Sequence, residues 1–194
     1  VIPRKDRLSV PTSLDDTQTP AFLMRQPWWH DVMFNREFGT RLRVNGNHAY
    51  NAAHEPPLPA KFGPDTFRCG AGLGNSHTFF RLMPPNEFFA THPEYYSLVK
   101  GKRRRDAQLC LTNPDVLRIV TERVLNGIRK DPGAKFYGVS QMDFEGWCEC
   151  PACAAIDKEE ESHAGTVIRF VNAVAERVEK EFPNVLIETL AYTY

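Results

Sequence analysis

The sequence predicts an α/β protein, read as roughly the first six strands of an incomplete (β/α)8 barrel. Three observations carry that expectation. From residue 108 onward, short apolar segments alternate with amphipathic stretches of roughly 10–20 residues, the pattern of parallel strands joined by crossover helices. No Gly-x-Gly-x-x-Gly follows a strand, and residues 70–74 (Gly-Ala-Gly-Leu-Gly) have the wrong spacing and no helix after them. Polar and aromatic residues also gather just past the expected strand ends, at Arg25, Asn45, His77, Asn113, Asp143 and Tyr192, where barrel enzymes build their sites.

The first 65 residues are rich in proline and irregular, and residues 1–20 read as a linker leading in from a preceding domain. Residues 21–24 and 42–44 are short apolar segments, each followed by a polar or aromatic loop, and both read as strands. A short helix over residues 36–41 separates them. Residues 75–80 (Asn-Ser-His-Thr-Phe-Phe) read as a strand end, and a short helix follows Pro84 and Pro85.

Leu109-Cys110-Leu111 reads as the next strand. Asn113 then caps a helix, with Pro114 at its first position and Asp115 near the positive end of its dipole. Leu117, Val120, Val124 and Ile128 mark its apolar face, and Asp131-Pro132-Gly133 ends it. Residues 136–140 form another strand, and a loop carrying three cysteines leads to a helix over about residues 164–182. Val167, Val171, Val174, Val178 and Phe182 form the buried face of that helix. Residues 185–191 close the pattern as a strand that needs neighbours. Together with Val at position 1, that last strand suggests a piece of a longer protein.

Composition narrows the function classes. The 194 residues carry 24 Lys+Arg against 24 Asp+Glu, so no basic excess exists to bind nucleic acid through bulk charge. No apolar run has the length of a membrane span. The run 100–105 (Lys-Gly-Lys-Arg-Arg-Arg) reads as a solvated turn, or else as a contact for an anionic sugar. Of five cysteines, Cys69 and Cys110 stand alone while Cys148, Cys150 and Cys153 crowd together. That spacing suits metal ligation, or one local disulfide with a spare thiol. A structural zinc would need a fourth ligand from elsewhere, and His163 is the nearest imidazole in sequence.

The richest segment for chemistry is residues 141–147, Gln-Met-Asp-Phe-Glu-Gly-Trp. Asp143 and Glu145 sit just beyond a strand, beside Phe144 and Trp147. Aromatic rings there can desolvate a carboxyl group and stack on a sugar face, and glycoside hydrolysis works with paired carboxylates. The plainer alternative has Asp143 capping a loop and Glu145 facing solvent. Gln141, Trp147, His77, Asn113, Tyr192, Arg25 and Asn45 are the candidate substrate contacts. Of the adjacent Trp28 and Trp29, only one can face the core in an extended segment. A Gly-x-Ser-x-Gly elbow and a His-Glu-x-x-His helix are both absent.

His77-Thr78-Phe79, then residues 92–96 (His-Pro-Glu-Tyr-Tyr) and 101–103 (Gly-Lys-Arg), then residues 108–114 and 139–143, then the cysteine run 148–153 and residues 189–192, occur in an order that resembles one family. It is a barrel domain of polysaccharide-degrading bacteria, first catalogued as a domain of unknown function and later as glycoside hydrolase family 163. The likeness extends over essentially the whole chain. It implies a TIM-barrel endo-β-N-acetylglucosaminidase acting on the chitobiose core of N-glycans, periplasmic, cell-surface or secreted, with no cofactor required for catalysis. The implied mechanism is retaining and substrate-assisted: the N-acetyl oxygen attacks the anomeric carbon while, of Asp143 and Glu145, one orients the acetamide and the other is the general acid/base. Asp143, at the more rigid strand end, is assigned to the acetamide and Glu145 to proton transfer, with the reverse assignment left open. Hexosaminidases of this type carry adjacent Asp-Glu, whereas here Phe144 separates the two. The competing readings are a glycosidase for uronic-acid or other anionic glycans, with Arg103, Arg104 and Arg105 near the substrate, and a non-catalytic carbohydrate-binding barrel fragment.

Overall fold

The computed structural model describes residues 7, 9–25, 27, 29–45, 70, 74, 76–190 and 192. In chain order the elements are helices α1 (His30–Phe34), α2 (Arg36–Arg41), α3 (Phe79–Leu82) and α4 (Pro85–Phe88), a 3-10 turn (Pro93–Tyr95), strands β1 (Leu98–Val99) and β2 (Lys102–Arg103), helix α5 (Pro114–Lys130), strand β3 (Phe136–Gly138), helices α6 (Pro151–Glu159) and α7 (His163–Glu179), and strand β4 (Leu186–Glu188).

The two long helices form where the sequence places them, because their signals are local. Asn113 Oδ1 accepts from the Asp115 N–H at 2.9 Å and the Val116 N–H at 3.3 Å, and Arg129 and Lys130 occupy the last turn of α5. Replacing Asn113 by Ala is expected to cost about 1 kcal/mol, lowering the melting temperature by about 2–4 °C in a thermal scan. The buried face of α5 is Val116, Val120, Val124 and Ile128, so Val116 takes the innermost place expected of Leu117. It packs on Val167, Val171, Val174 and Val178 of α7, with Phe170 edge-on to Phe79 of α3 at 6.0 Å. The Arg129 guanidinium closes the far end of this packing through paired bonds to Glu181, at 2.9 and 2.7 Å.

Strands β3 and β4 pair in parallel, Phe136 with Leu186 through Gly138 with Glu188. The ladder extends at both ends, from the Leu186 N–H to the Lys135 carbonyl and from the Val139 N–H to the Glu188 carbonyl. Helix α7 lies between the two strands in sequence and packs against β4, which is the β-α-β arrangement expected from residues 136–191. On the other edge of β3, the Gly70 N–H donates to the Phe136 carbonyl at 2.8 Å. A Cβ on Gly70 would stand 2.0 Å from the Tyr137 ring, so only glycine permits this approach. Among the described residues the sheets are two-stranded, β1 with β2 antiparallel and β3 with β4 parallel, and no closed sheet forms.

Several expected strands take other forms. Residues 21–24 and 42–44 form none: Phe22, Leu23 and Leu42 are exposed, and among the described residues no neighbouring strand supplies a ladder. Residues 79–80 begin α3 instead of ending a strand. Residues 109–111 make a single antiparallel bridge, Leu109 with Tyr96. Part of the cysteine loop is helix α6, which Pro151 opens and which carries Cys153 inside it. The short helices over residues 36–41 and after Pro84 form as expected.

Candidate active site and metal centre

Beyond the ends of β3 and β4, three side chains converge. The Tyr192 hydroxyl donates to Asp143 Oδ1, and His77 Nε2 stands 4.0 Å from Asp143 Oδ2. The His77 and Tyr192 rings are tilted together with centroids 6.1 Å apart. His77 is held from behind, its Nδ1 lying 2.9 Å from the Gln141 carbonyl. A carbonyl only accepts, so Nδ1 carries the proton and Nε2 faces the carboxylate. The residue sits at φ +54°, in the left-handed region where a Cβ is strained. Neighbouring bonds hold it there. The Thr78 and Phe79 N–H groups both donate to the Ser140 carbonyl, and Thr78 Oγ1 accepts from the Ser140 N–H at 2.9 Å.

The contact marks the electrostatics of the group. Tyr192 donates its proton to Asp143, so ionising the phenol would break that bond and set two negative charges together. Its pKa is therefore pushed up to about 12, with desolvation a smaller cause. Asp143 itself is largely exposed, with 70% of its side chain open to solvent, and is in reach of an incoming ligand.

The second group is buried. Cys110, Cys148, Cys150 and Cys153 are all free thiols with their Sγ atoms within 4.8 Å of one another. Cys110 Sγ and Cys150 Sγ are 3.7 Å apart, close to the edge of about 3.8 Å in a tetrahedron with metal–sulfur arms of about 2.3 Å. Donors surround the sulfurs. The Leu98 N–H reaches Cys148 Sγ at 3.3 Å, Arg103 Nη1 lies 3.7 Å from the same atom, and Thr112 Oγ1 is 3.1 Å from Cys153 Sγ. Negative charge settles first on Cys110: hydrogen bonds from the Cys148 and Cys153 thiols hold it far below the usual thiol range. The proton that Cys148 shares with Cys110 pushes its own pKa up to about 11. Four soft, closely set, hydrogen-bonded sulfurs are a donor set able to hold a metal ion. The fourth member of the group is Cys110, while His163 is not part of it, and Cys69 lies outside the described residues.

Over residues 1–194 the chain matches the family model described as "Domain of unknown function (DUF4838)". The chain belongs to that family. No curated protein and no solved structure matches it.

In this DUF4838 domain the other sequence-predicted residues are spread more widely. Arg25 and Asn45 bind each other's segment: the Arg25 N–H donates to Asn45 Oδ1 at 2.8 Å, Asn45 Nδ2 to the Leu23 carbonyl, and Arg25 Nε to the Arg43 carbonyl. Neither is brought to Asp143. Asn113 is occupied in capping α5. Gln141 is only 2% exposed and ties the two strand ends together through Nε2 on the Tyr192 carbonyl at 3.0 Å. Glu145 is exposed and makes no hydrogen bond or ion pair with the three converging side chains. Trp147 turns away to stack on His163, with centroids 4.5 Å apart. His163 is in turn paired with Asp157 at 2.5 Å. Gln141, Trp147, Asp157 and His163 line a small, mainly apolar cleft beside Cys148 and Cys153, whose walls include none of His77, Asp143 or Tyr192.

Of the basic run, Arg103 binds the Tyr96 carbonyl at 2.8 Å besides approaching Cys148, Arg104 pairs with Asp106, and Arg105 binds Asn86. Trp28 lies outside the described residues, and Trp29 is exposed. No described helix is long and apolar enough to cross a membrane. Two residues escape sequence reasoning, Cys110 and Gln108. Cys110 reads as one more small apolar residue in a strand, and a lone glutamine carries no local signal.

Proposed function

We propose that the chain is a glycoside hydrolase: a retaining, substrate-assisted endo-β-N-acetylglucosaminidase that cleaves the chitobiose core of N-glycans on the first part of a (β/α)8 barrel. The observation that carries this reading is the meeting of Asp143, Tyr192 and His77 beyond the ends of two parallel strands. Tyr192 holds Asp143 Oδ1, which leaves Oδ2 for the N–H of a substrate acetamide. As the acetamide oxygen bonds to the anomeric carbon and the glycosidic C–O bond breaks, the positive charge on the ring so formed is balanced by the Asp143 carboxylate. Glu145 gives its proton to the leaving oxygen. It then takes one from the water that attacks the anomeric carbon and restores the acetamide. His77, with Nδ1–H fixed on the Gln141 carbonyl, places its Nε2 4.0 Å from Asp143 Oδ2, at the edge of the same site.

The four cysteines are assigned to a structural zinc. Four thiolates would satisfy a tetrahedral zinc and leave no open position, so the ion would serve to cross-link and not to catalyse. It joins Cys110 to the segment that follows Asp143. The deciding experiment is incubation with an N-glycosylated protein and mass spectrometry of the products. The expected product is a free glycan ending in one N-acetylglucosamine, with its partner sugar left on the protein. Glycan binding without any release overturns the hydrolase reading in favour of a binding module.

A further inference from the structure

Gln108 is 6% exposed, and its carboxamide is directed wholly at the segment that bears Asp143. Nε2 donates to the Met142 carbonyl at 3.0 Å and to the Phe144 carbonyl at 2.5 Å, while Oε1 accepts from the Met142 N–H at 2.9 Å. Its backbone N–H donates to the Gly146 carbonyl at 3.0 Å. The backbone on both sides of Asp143 is thus bonded to one side chain, which comes from outside the loop and reaches across 34 to 36 residues of sequence.

We propose that Gln108 is a positioning residue for the Asp143 carboxylate, clamping the Met142–Phe144 backbone so that Asp143 meets Tyr192 and His77. The inference rests on the proposed function for its catalytic meaning but not for its geometry. Asp143 is mostly exposed, so packing around its own side chain does not locate it. The loop lacks regular secondary structure; within it the Phe144 N–H donates to the Met142 carbonyl, and the Phe80 N–H reaches the Met142 sulfur at 3.4 Å. Phe144 leans on Phe80 at 5.7 Å, but a ring contact tolerates sliding where paired hydrogen bonds do not. A carboxamide suits the task because one planar group offers donors and an acceptor together. Leucine has the size without either, and a carboxylate lacks the donors.

The test is Gln108→Leu, read through the Tyr192 phenol by NMR of ring-labelled tyrosine, with Tyr192→Phe assigning the signal. In the unsubstituted protein the hydrogen bond to Asp143 pushes the Tyr192 pKa up to about 12, so its midpoint is expected well above that of a free phenol. Once the clamp is gone, the midpoint is expected to fall toward the ordinary value of about 10. A folded Gln108→Leu protein with an unmoved Tyr192 midpoint overturns the proposal. If that variant does not fold, the unsubstituted chain decides. The Met142 amide and the Gln108 side-chain amide protons should exchange slowly with solvent, and exchange at free-peptide rates overturns the clamp. In the glycan assay, kcat is expected to fall by about 10²-fold with KM changed less than about threefold, the mark of a misplaced group in an intact binding site. Equal loss in both parameters, or none, overturns the catalytic role. An unsubstituted protein that releases no glycan refutes the proposed function instead, while the Tyr192 and exchange readouts still judge the clamp.

Discussion

Asp143→Asn is expected to lower glycan release by about 10²-fold or more, the size of a lost acid–base or charge-stabilising group. The amide keeps the shape of the side chain but carries no charge to balance the ring that forms when the acetamide oxygen attacks. The same replacement removes the carboxylate that raises the Tyr192 pKa, so that phenol should titrate closer to 10 than to 12. Glu145→Gln should cost a similar factor on a glycan. It should be rescued far better than Asp143→Asn by an aryl glycoside whose leaving group needs no proton. Assaying the two variants on both substrates, at equal folded concentration, separates the roles. Near-normal glycan release from both would make these carboxylates structural.

Removal of the proposed zinc is expected to have the largest effect on stability. Mass spectrometry under native conditions should find one zinc per chain, and unfolding in chelator should expose five thiols, the full cysteine count. Cys110→Ser should abolish stoichiometric binding as completely as Cys150→Ser, since each supplies one of the four sulfurs of the proposed site. A loss of about 3–4 kcal/mol lowers the melting temperature of a chain this size by on the order of 10 °C. Fewer than five thiols with no bound metal would indicate a disulfide and reject ligation. Stoichiometric iron would keep the ligands and change the ion, because tetrahedral sulfur sites accept either.

What was legible in the sequence was whatever neighbouring residues enforce on each other. Asn113, Pro114 and the valines spaced four apart specify α5 within one contiguous stretch, since capping and amphipathic periodicity act over three or four residues. The same holds for α7 and for the run 136–138. It fails for residues 21–24 and 42–44, because a strand exists only through a partner, and no partner is encoded in four apolar residues. The cluster Cys148, Cys150 and Cys153 could be seen by spacing alone. Its completion by Cys110 could not, since Cys110 lies 40 residues from Cys150 in sequence.

Tertiary structure decided which candidates meet. Gly146, at φ +107° with Ala107 so close that a Cβ would stand 3.0 Å away, turns the chain sharply between Glu145 and Trp147. That turn sends Trp147 back onto His163 and leaves Asp143 on the other side with Tyr192. The pairing of β3 with β4 sets the register that brings residue 192 beside residue 143, and the Tyr96–Leu109 bridge sets the strip that carries Gln108 and Cys110. Sequence by itself determined the two long helices, the strand-end carboxylate and three of the four sulfurs, because short-range sterics and hydrogen bonds specify them. The carboxylate's partners, the fourth sulfur and the clamp on the loop come from strand register and helix packing, interactions between segments that no local pattern records.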